Sequence, residues 1–407
     1  MKLVIFAHTP PPFHGQSYMV KLMIDGLGGD GRSKLDQAKG RCSPDAIQCF
    51  HVNARFSTDL DDVGSFHFRK ILLLIRYCLE AIWYRFRYAA DNFYYIPAPP
   101  KRVALYRDCL VLLLCRPFFR RFIFHWHASG LGEWLQHKAL PWERWIAQRL
   151  LGFPDLSIVL AASLSNDAVY FRSKRISVTP NGIPDPCSAF EELILPQRTA
   201  RLERRREILE KKNQAPDNPE KYRIVFLAHC TREKGLFDAL DAIALANQEL
   251  DKQMLALRMH LTVAGGFVDD AERQEFESWK KAHSDEVDYV GFLAGGAKKE
   301  LLEKSDCLCF PTYYSAEGQP VSIIEAMAFG LTVVASAWRG IPELLPEKYP
   351  FLISKPDPSA IAQALIESLR ADVAKELRLR YCGAFTERSY LRNLVEVLQL
   401  VGAPSAP

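Results

Sequence analysis

The chain has 407 residues, 48% of them apolar and 25% charged, with a formal net charge of +4. That length is too great for one compact core and predicts about two domains of ordinary size. The composition is that of a globular protein, and so small a net charge gives no reason to expect nucleic acid as a partner.

In chain order, the first element is the run "KLVIFAH" (2–8), read as a buried β-strand. It is ended by histidine and prolines too early to serve as a secretory leader. In "HTPPPFHGQSYMV", Gly15 permits a close approach of backbone to a ligand. Gln16 follows it, and the helical periodicity that resumes there offers free amides to an anion; the plain alternative is a turn. Residues 26–45 are rich in glycine and polar side chains and predict a surface loop.

Between Phe66 and Arg121 stand eleven Lys and Arg against three acids, interleaved with aromatics and the apolar runs "ILLLI" and "CLVLLLC". Both runs are too short for a membrane span. Such a stretch attracts an anionic membrane surface, or else it is a buried helix whose arginines reach out to water. "RFIFHWH" (121–127), "LSIVLA" (156–161) and "RISVTPNG" (175–182) complete a first strand series. In the first of these strands, His127 stands beside Trp126, where the plain alternative is a packed structural histidine, and His125 is expected on the opposite side, packed and structural.

Residues 186–220 are charged and end in a Pro/Asn/Asp cluster, which predicts a helical linker with a loop, its basic run solvated. A second strand series follows: "YRIVFLAH" (222–229), "MHLTVAGG" (259–266), "VDYVGF" (287–292), "DCLCFPT" (306–312) and "LTVVASA" (331–337). Apolar strands alternating with amphipathic helices predict α/β architecture with parallel sheets of the doubly wound kind, one for each series. The ten cysteines are scattered, with no C-x-x-C, and are expected to be free, reduced and packed.

Ligands of such sheets bind at the carboxyl ends of strands. After the strand ending near His229, a short turn carries Arg232 and Lys234 before Gly235 opens a helix; two cations there suit a diphosphate. In "SAEGQPVSIIEAMAFG" (315–330), Glu317 falls in the loop and Glu325 on the helix that follows, among apolar neighbours. A buried carboxylate without a partner is costly, so Glu325 reaches a partner or faces a cleft. The backbone of Gly318, Gln319, Pro320 and Val321 lies between the two acids. Two hydroxyl-binding carboxylates flanking an anion-binding helix start describe a nucleotide sugar: sugar, diphosphate, ribose.

The Glu-x7-Glu element, with "REKG", "TPNGI", "HWHASGLG" and the Gly15 loop in order, resembles glycosyltransferase family 4. The resemblance implies the GT-B fold, two Rossmann-like domains whose parallel sheets face a central cleft. The domains would be an acceptor domain over 1–185, a charged linker over 186–220, a nucleotide-sugar domain over 221–380, and a terminal helix over 381–407 returning to the first. Glu317 would contact the transferred sugar and Glu325 the ribose. Arg232, Lys234 and the helix-start amides would hold the diphosphate, His127 would lie beside the sugar, and Phe292 beside the base. Departures are Gln16, where the family usually has a second glycine, and His229, where it often has arginine.

The implied activity is retaining transfer of a sugar from a nucleoside-diphosphate sugar to a glycan or polyprenyl-diphosphate-linked acceptor. Fixed cations would replace an obligatory metal, and the place would be the cytoplasm or the inner face of its membrane. The alternatives are a sugar-nucleotide epimerase of the same fold and a catalytically silent sugar-nucleotide-binding module.

Overall fold

The computed structural model describes residues 1–11, 15–32, 47–55, 68–210, 219–354 and 356–402. The chain divides into two compact units, one of residues 1–182 with 387–407, the other of 183–386. The greater part of the loop expected over 26–45 and the end of the expected linker lie outside the described residues.

The sheet of the first unit runs β2-β1-β3-β4-β5-β6. Its strands are β1 (Lys2–Ala7), β2 (Gln48–Asn53), β3 (Asn92–Tyr95), β4 (Arg121–Trp126), β5 (Leu156–Val159) and β6 (Ile176–Val178). All neighbours are parallel. Helices cover both faces of such a sheet, so its strands are apolar throughout: Leu3, Val4 and Ile5 are wholly buried. The last helix, Glu387–Gly402, belongs to this unit, where Arg175 Nη1 donates to the carbonyl of Leu400 at 2.6 Å.

The second sheet runs β12-β11-β10-β7-β8-β9. Its strands are β7 (Glu220–Leu227), β8 (Leu257–Ala264), β9 (Val287–Gly291), β10 (Cys307–Phe310), β11 (Thr332–Ser336) and β12 (Leu352–Ile353), again all parallel. Both sheets are therefore of the predicted doubly wound type. β2, β3 and β12 are strands that the sequence reading did not single out.

The segment expected as a solvated linker behaves otherwise. Helix Leu195–Glu210 lies within the second unit, and its Arg198, Arg201 and Arg205 are buried. Arg198 caps three carbonyls, of Phe329, Ser305 and Leu302, at 2.7, 2.6 and 3.2 Å. Arg201 Nε donates to buried Asp306 at 2.7 Å, and Arg205 lies over the Tyr222 ring at 4.8 Å. One face of the helix is cationic because its partners are an acid and the carbonyls at the ends of two other helices. Composition cannot distinguish that face from a solvated one.

Candidate nucleotide-sugar site in the second unit

In the second sheet the chain proceeds from β7 outward through β8 and β9, then returns to place β10 on the other side of β7. The gap between the loops after β7 and β10 is the topological switch point, where open α/β sheets receive ligands. Lys234 follows β7, while Thr312 and Glu317 follow β10.

These side chains meet. Lys234 Nζ donates to Glu317 Oε2 at 2.7 Å, and Thr312 Oγ1 donates to the same oxygen at 3.0 Å. Glu317 is 6% exposed. The ammonium also lies 4.8 Å from the Tyr314 ring and 5.7 Å from that of Phe310, so aromatic faces share its charge. Burial, and then Glu317, raise the Tyr314 hydroxyl above the usual tyrosine range. Burial, and then Lys234, lower His229 below the usual histidine range.

The two loops are held together by backbone. Tyr313 N–H donates to the Glu233 carbonyl at 2.9 Å. Gly235 closes the Arg232–Lys234 turn at φ +80°, and a Cβ there would lie 2.3 Å from the Pro311 carbonyl oxygen. Only glycine fits so close a crossing at that dihedral. Gly235→Ala is accordingly expected to destabilise by at least about 1–2 kcal/mol from the left-handed backbone alone. Chemical denaturation reads that loss, and wild-type stability in the variant would refute the close crossing.

Glu325 lies five residues into helix Val321–Ala328, which follows Pro320 and stops at Gly330 with φ +62°. Its Oε1 accepts from Lys298 Nζ at 2.5 Å. Lys298, in the first turn of helix Gly295–Lys304, answers the question of how an acid survives among Ile323, Ile324 and Met327. It was missed because only the fold brings it to Glu325, 27 residues away in sequence. Gly318, Gln319 and Pro320 are buried at the helix start. Proline has no N–H, so donors toward an anion come from Gly318, Gln319 and Val321.

The other expected residues fall as follows. Arg232 is exposed, and its Nη2 bonds Glu275 at 2.7 and 2.5 Å. That carboxylate raises its guanidinium pKa further. Residues two apart on a 3₁₀ turn point about 240° apart, so Lys234 turns to Glu317 and Arg232 to helix Asp270–Ala282. Any phosphate on Arg232 competes with Glu275. Phe292 is exposed just after β9.

Gly15, Gln16 and His127 belong to the first unit. Gly15 is the exposed first residue of helix Gly15–Gly26, and Gln16 is half-buried after it. His127 directly follows β4, with its ring 4.2 Å from that of His125. The expectation that His125 faces the opposite side is thus corrected: residues two apart on a strand share a face. His125 is wholly buried against the Tyr94 hydroxyl, and burial, then His127, push its pKa well down.

Nine cysteines are free among the described residues, seven of them buried. The expectation of metal independence rests on the cations alone, because the chain does carry one Asp-x-Asp, Asp59-Leu60-Asp61. It lies outside the described residues.

Two parallel six-stranded sheets, the second with a lysine–glutamate pair at its switch point, define an α/β protein whose structural neighbours are GT-B glycosyltransferases. Residues 207–384, rather less than half the chain, match the family described as Glycosyl transferases group 1. The chain is 30% identical over 196 residues to the putative colanic acid biosynthesis glycosyltransferase WcaL of Escherichia coli, covering 46% of each protein. It is 27% identical over 195 residues to the amylovoran biosynthesis glycosyltransferase AmsK of Erwinia amylovora, 44% of each. The chain thus spans about half the length of the curated relatives it matches.

Among solved structures, sucrose-phosphate synthase of Thermosynechococcus elongatus superposes with TM-score 0.67 at 16% identity, covering 99% of both chains. Anabaena HepE in complex with UDP-glucose superposes with TM-score 0.62 at 14% identity, covering 98% of this chain and 99% of that one. At such identities these likenesses establish the fold.

Proposed function

We propose that the chain is a retaining glycosyltransferase that moves a sugar from a nucleoside-diphosphate sugar to a glycan or polyprenyl-diphosphate-linked acceptor in polysaccharide biosynthesis. The observation that carries this reading is the Lys234–Glu317 pair at the switch point of the second sheet, 2.7 Å apart, inside the segment matching the family. Departure of a nucleoside diphosphate develops negative charge, which Lys234, Lys298 and the helix-start amides oppose electrostatically. Glu317 then takes the sugar hydroxyls and Glu325 the ribose, each exchanging a lysine contact for a ligand contact, and exposed Phe292 lies against the base. No protein nucleophile is needed if the leaving diphosphate takes the acceptor's proton on the same face, and fixed cations stand in place of a metal. A colanic acid and an amylovoran glycosyltransferase among the relatives support the polysaccharide setting, and the UDP-glucose complex of HepE supports a nucleotide-sugar donor.

The direct test is a thermal-shift screen of nucleoside diphosphates and their sugars. A matched ligand at a hundred times its Kd stabilises by about 2.7 kcal/mol. Stabilisation by one base, with wild-type but not Glu325→Ala distinguishing ribose from deoxyribose, is the expected result. No shift with any nucleotide would remove the reading.

The acceptor side of the proposal includes a membrane surface. Helix Phe68–Arg87 buries Leu74, Cys78, Ala81 and Tyr84 and exposes a stripe of Leu72, Leu79, Trp83 and Phe86. Arg76 and Arg87 are exposed on the same helix, and the Phe86 ring meets that of exposed Phe118 at 6.2 Å. Among the described residues no helix is long and apolar enough to cross a membrane. An exposed aromatic stripe beside cations instead suits shallow insertion among anionic headgroups. Flotation with anionic vesicles at low salt is expected to carry the protein upward, and Trp83→Ser with Phe86→Ser to reduce it at least severalfold. Wild-type that stays at the bottom at low salt refutes this surface.

A further inference from the structure

Among the described residues, six that are not glycine take a positive φ. Ala89, Phe153, Arg172 and Met254 each stand two residues past the end of a helix, where a left-handed residue is an ordinary stop. Lys348 is exposed, the third residue of a turn that the Tyr349 amide closes on the Pro346 carbonyl at 3.2 Å. Arg339, at φ +50°, differs from all five because it stands at the carboxyl end of a sheet strand, in the loop after β11.

The Ile341 amide donates to the Trp338 carbonyl at 3.0 Å, so Arg339 and Gly340 are the central pair of a turn, at φ +50° and −83°. A positive then a negative φ is the pattern of a type II′ turn, whose first central position glycine ordinarily takes. Here the glycine stands one place later and a half-buried arginine carries the strain. Residues held in this way cluster at ligand sites, where the surrounding contacts fix them.

The loop is tied to the candidate site. Trp338 Nε1 donates to the Tyr314 carbonyl at 2.8 Å, and the Glu317 amide donates to the same oxygen at 3.0 Å. One carbonyl thus joins the loop after β11 to the residue whose carboxylate takes the sugar hydroxyls in the proposed function. The Arg339 guanidinium lies over the Trp338 ring, 5.1 Å from its centroid. An indole attracts a guanidinium through its face, and the N–H fork at the guanidinium edge suits a carboxylate, which it meets with two parallel bonds. In sheet order the loop of Glu317 lies between that of Lys234 and that of Arg339. The diphosphate has Lys234, Lys298 and the helix-start amides, so a further cation on the other side of Glu317 answers a charge on the sugar itself.

We propose that Arg339 is a specificity-determining residue that selects a donor whose sugar carries a carboxylate, a nucleoside-diphosphate uronate. The inference rests on the nucleotide-sugar reading of the second unit and on the place given there to Glu317. It adds the charge of the transferred sugar. Glycine at position 339 would relieve the turn, so the arginine is kept for recognition at the expense of stability.

The test titrates matched pairs into the full chain by calorimetry: UDP-glucuronate against UDP-glucose and GDP-mannuronate against GDP-mannose, with UDP and GDP alone as controls. Wild-type is expected to bind the uronate of one pair about tenfold or more tighter than its neutral partner, the scale of one charge-assisted contact. Arg339→Gln keeps the strained backbone and removes the charge, so it should bind the two alike. Arg339→Lys keeps the charge without the fork and should fall between. Arg339→Gly is expected to lose the preference while its urea midpoint stays at or above that of wild-type. A structural arginine gives the reverse, a lower midpoint and an unmoved ratio of the two affinities.

No uronate preference in wild-type, or a preference that Arg339→Gln keeps, overturns the proposal. If UDP or GDP still binds in that case, the charge of the sugar is wrong and the nucleotide-sugar reading stands. If no nucleotide and no nucleotide sugar binds, that reading falls and the proposal falls with it.

Discussion

Replacing Glu317 by alanine is expected to lower turnover about a hundredfold or more while leaving nucleoside-diphosphate affinity at or above its wild-type value. The first half follows from the role given to the carboxylate, since removing one well-placed polar contact to a reacting group costs about 10²–10³ in rate. The second half follows from its partner. Lys234 is held by Glu317 at 2.7 Å, and with the acid gone its ammonium is released toward a phosphate. A merely structural Glu317 gives a different pattern. Loss of the buried pair would then weaken nucleotide binding and thermal stability together, because the loops after β7 and β10 would lose a tie. Steady-state kinetics with a calorimetric Kd for the nucleoside diphosphate separate the two. Glu317→Gln sharpens the comparison: an amide still bonds hydroxyls but no longer neutralises Lys234, so turnover should lie between wild-type and alanine. Unchanged turnover in Glu317→Ala would remove the residue from the site.

The candidate site of the second sheet was legible because its residues are local in sequence. Strand, loop and helix of residues 307–328 are contiguous, so the placement of Glu317 in a loop and Glu325 on a helix needed only periodicity and the glycine and proline that bound them. Lys234 was legible for the same reason, being followed by the glycine that its turn requires. What the sequence could not carry were partners brought from far away. Lys298 is 27 residues from Glu325, and Asp306 is more than a hundred from Arg201. Short strands were lost too, because β3 is a four-residue run appended to a basic helix and β12 has only two residues. The neighbours of β1 needed the sheet order itself, since β2 and β3 flank it only after the crossover is known.

Asp306→Ala is expected to destabilise the second unit by about 3–5 kcal/mol, the range for removing one partner of a buried ion pair. The reason is the uncompensated charge. Asp306 is 5% exposed and serves Arg201 at 2.7 Å, Arg205 at 3.4 Å and the Arg223 amide at 3.1 Å. Its removal leaves two buried guanidinium groups and a strand amide facing one another. Because the cost is that of the orphaned partners, Asp306→Leu combined with Arg201→Met should recover more than half of it, as apolar replacements of a buried pair often do. Asp306 immediately precedes β10, whereas Thr312 and Glu317 follow its far end, so the folded fraction of Asp306→Ala should keep wild-type nucleotide affinity. Urea unfolding followed by the second unit's signal measures the first quantity, and calorimetry below the transition the second. A loss under about 1 kcal/mol is the value of a solvent-screened surface pair. It would mean that Asp306 does not bury the charge of helix Leu195–Glu210, and the basic run would then be the solvated face its composition suggests.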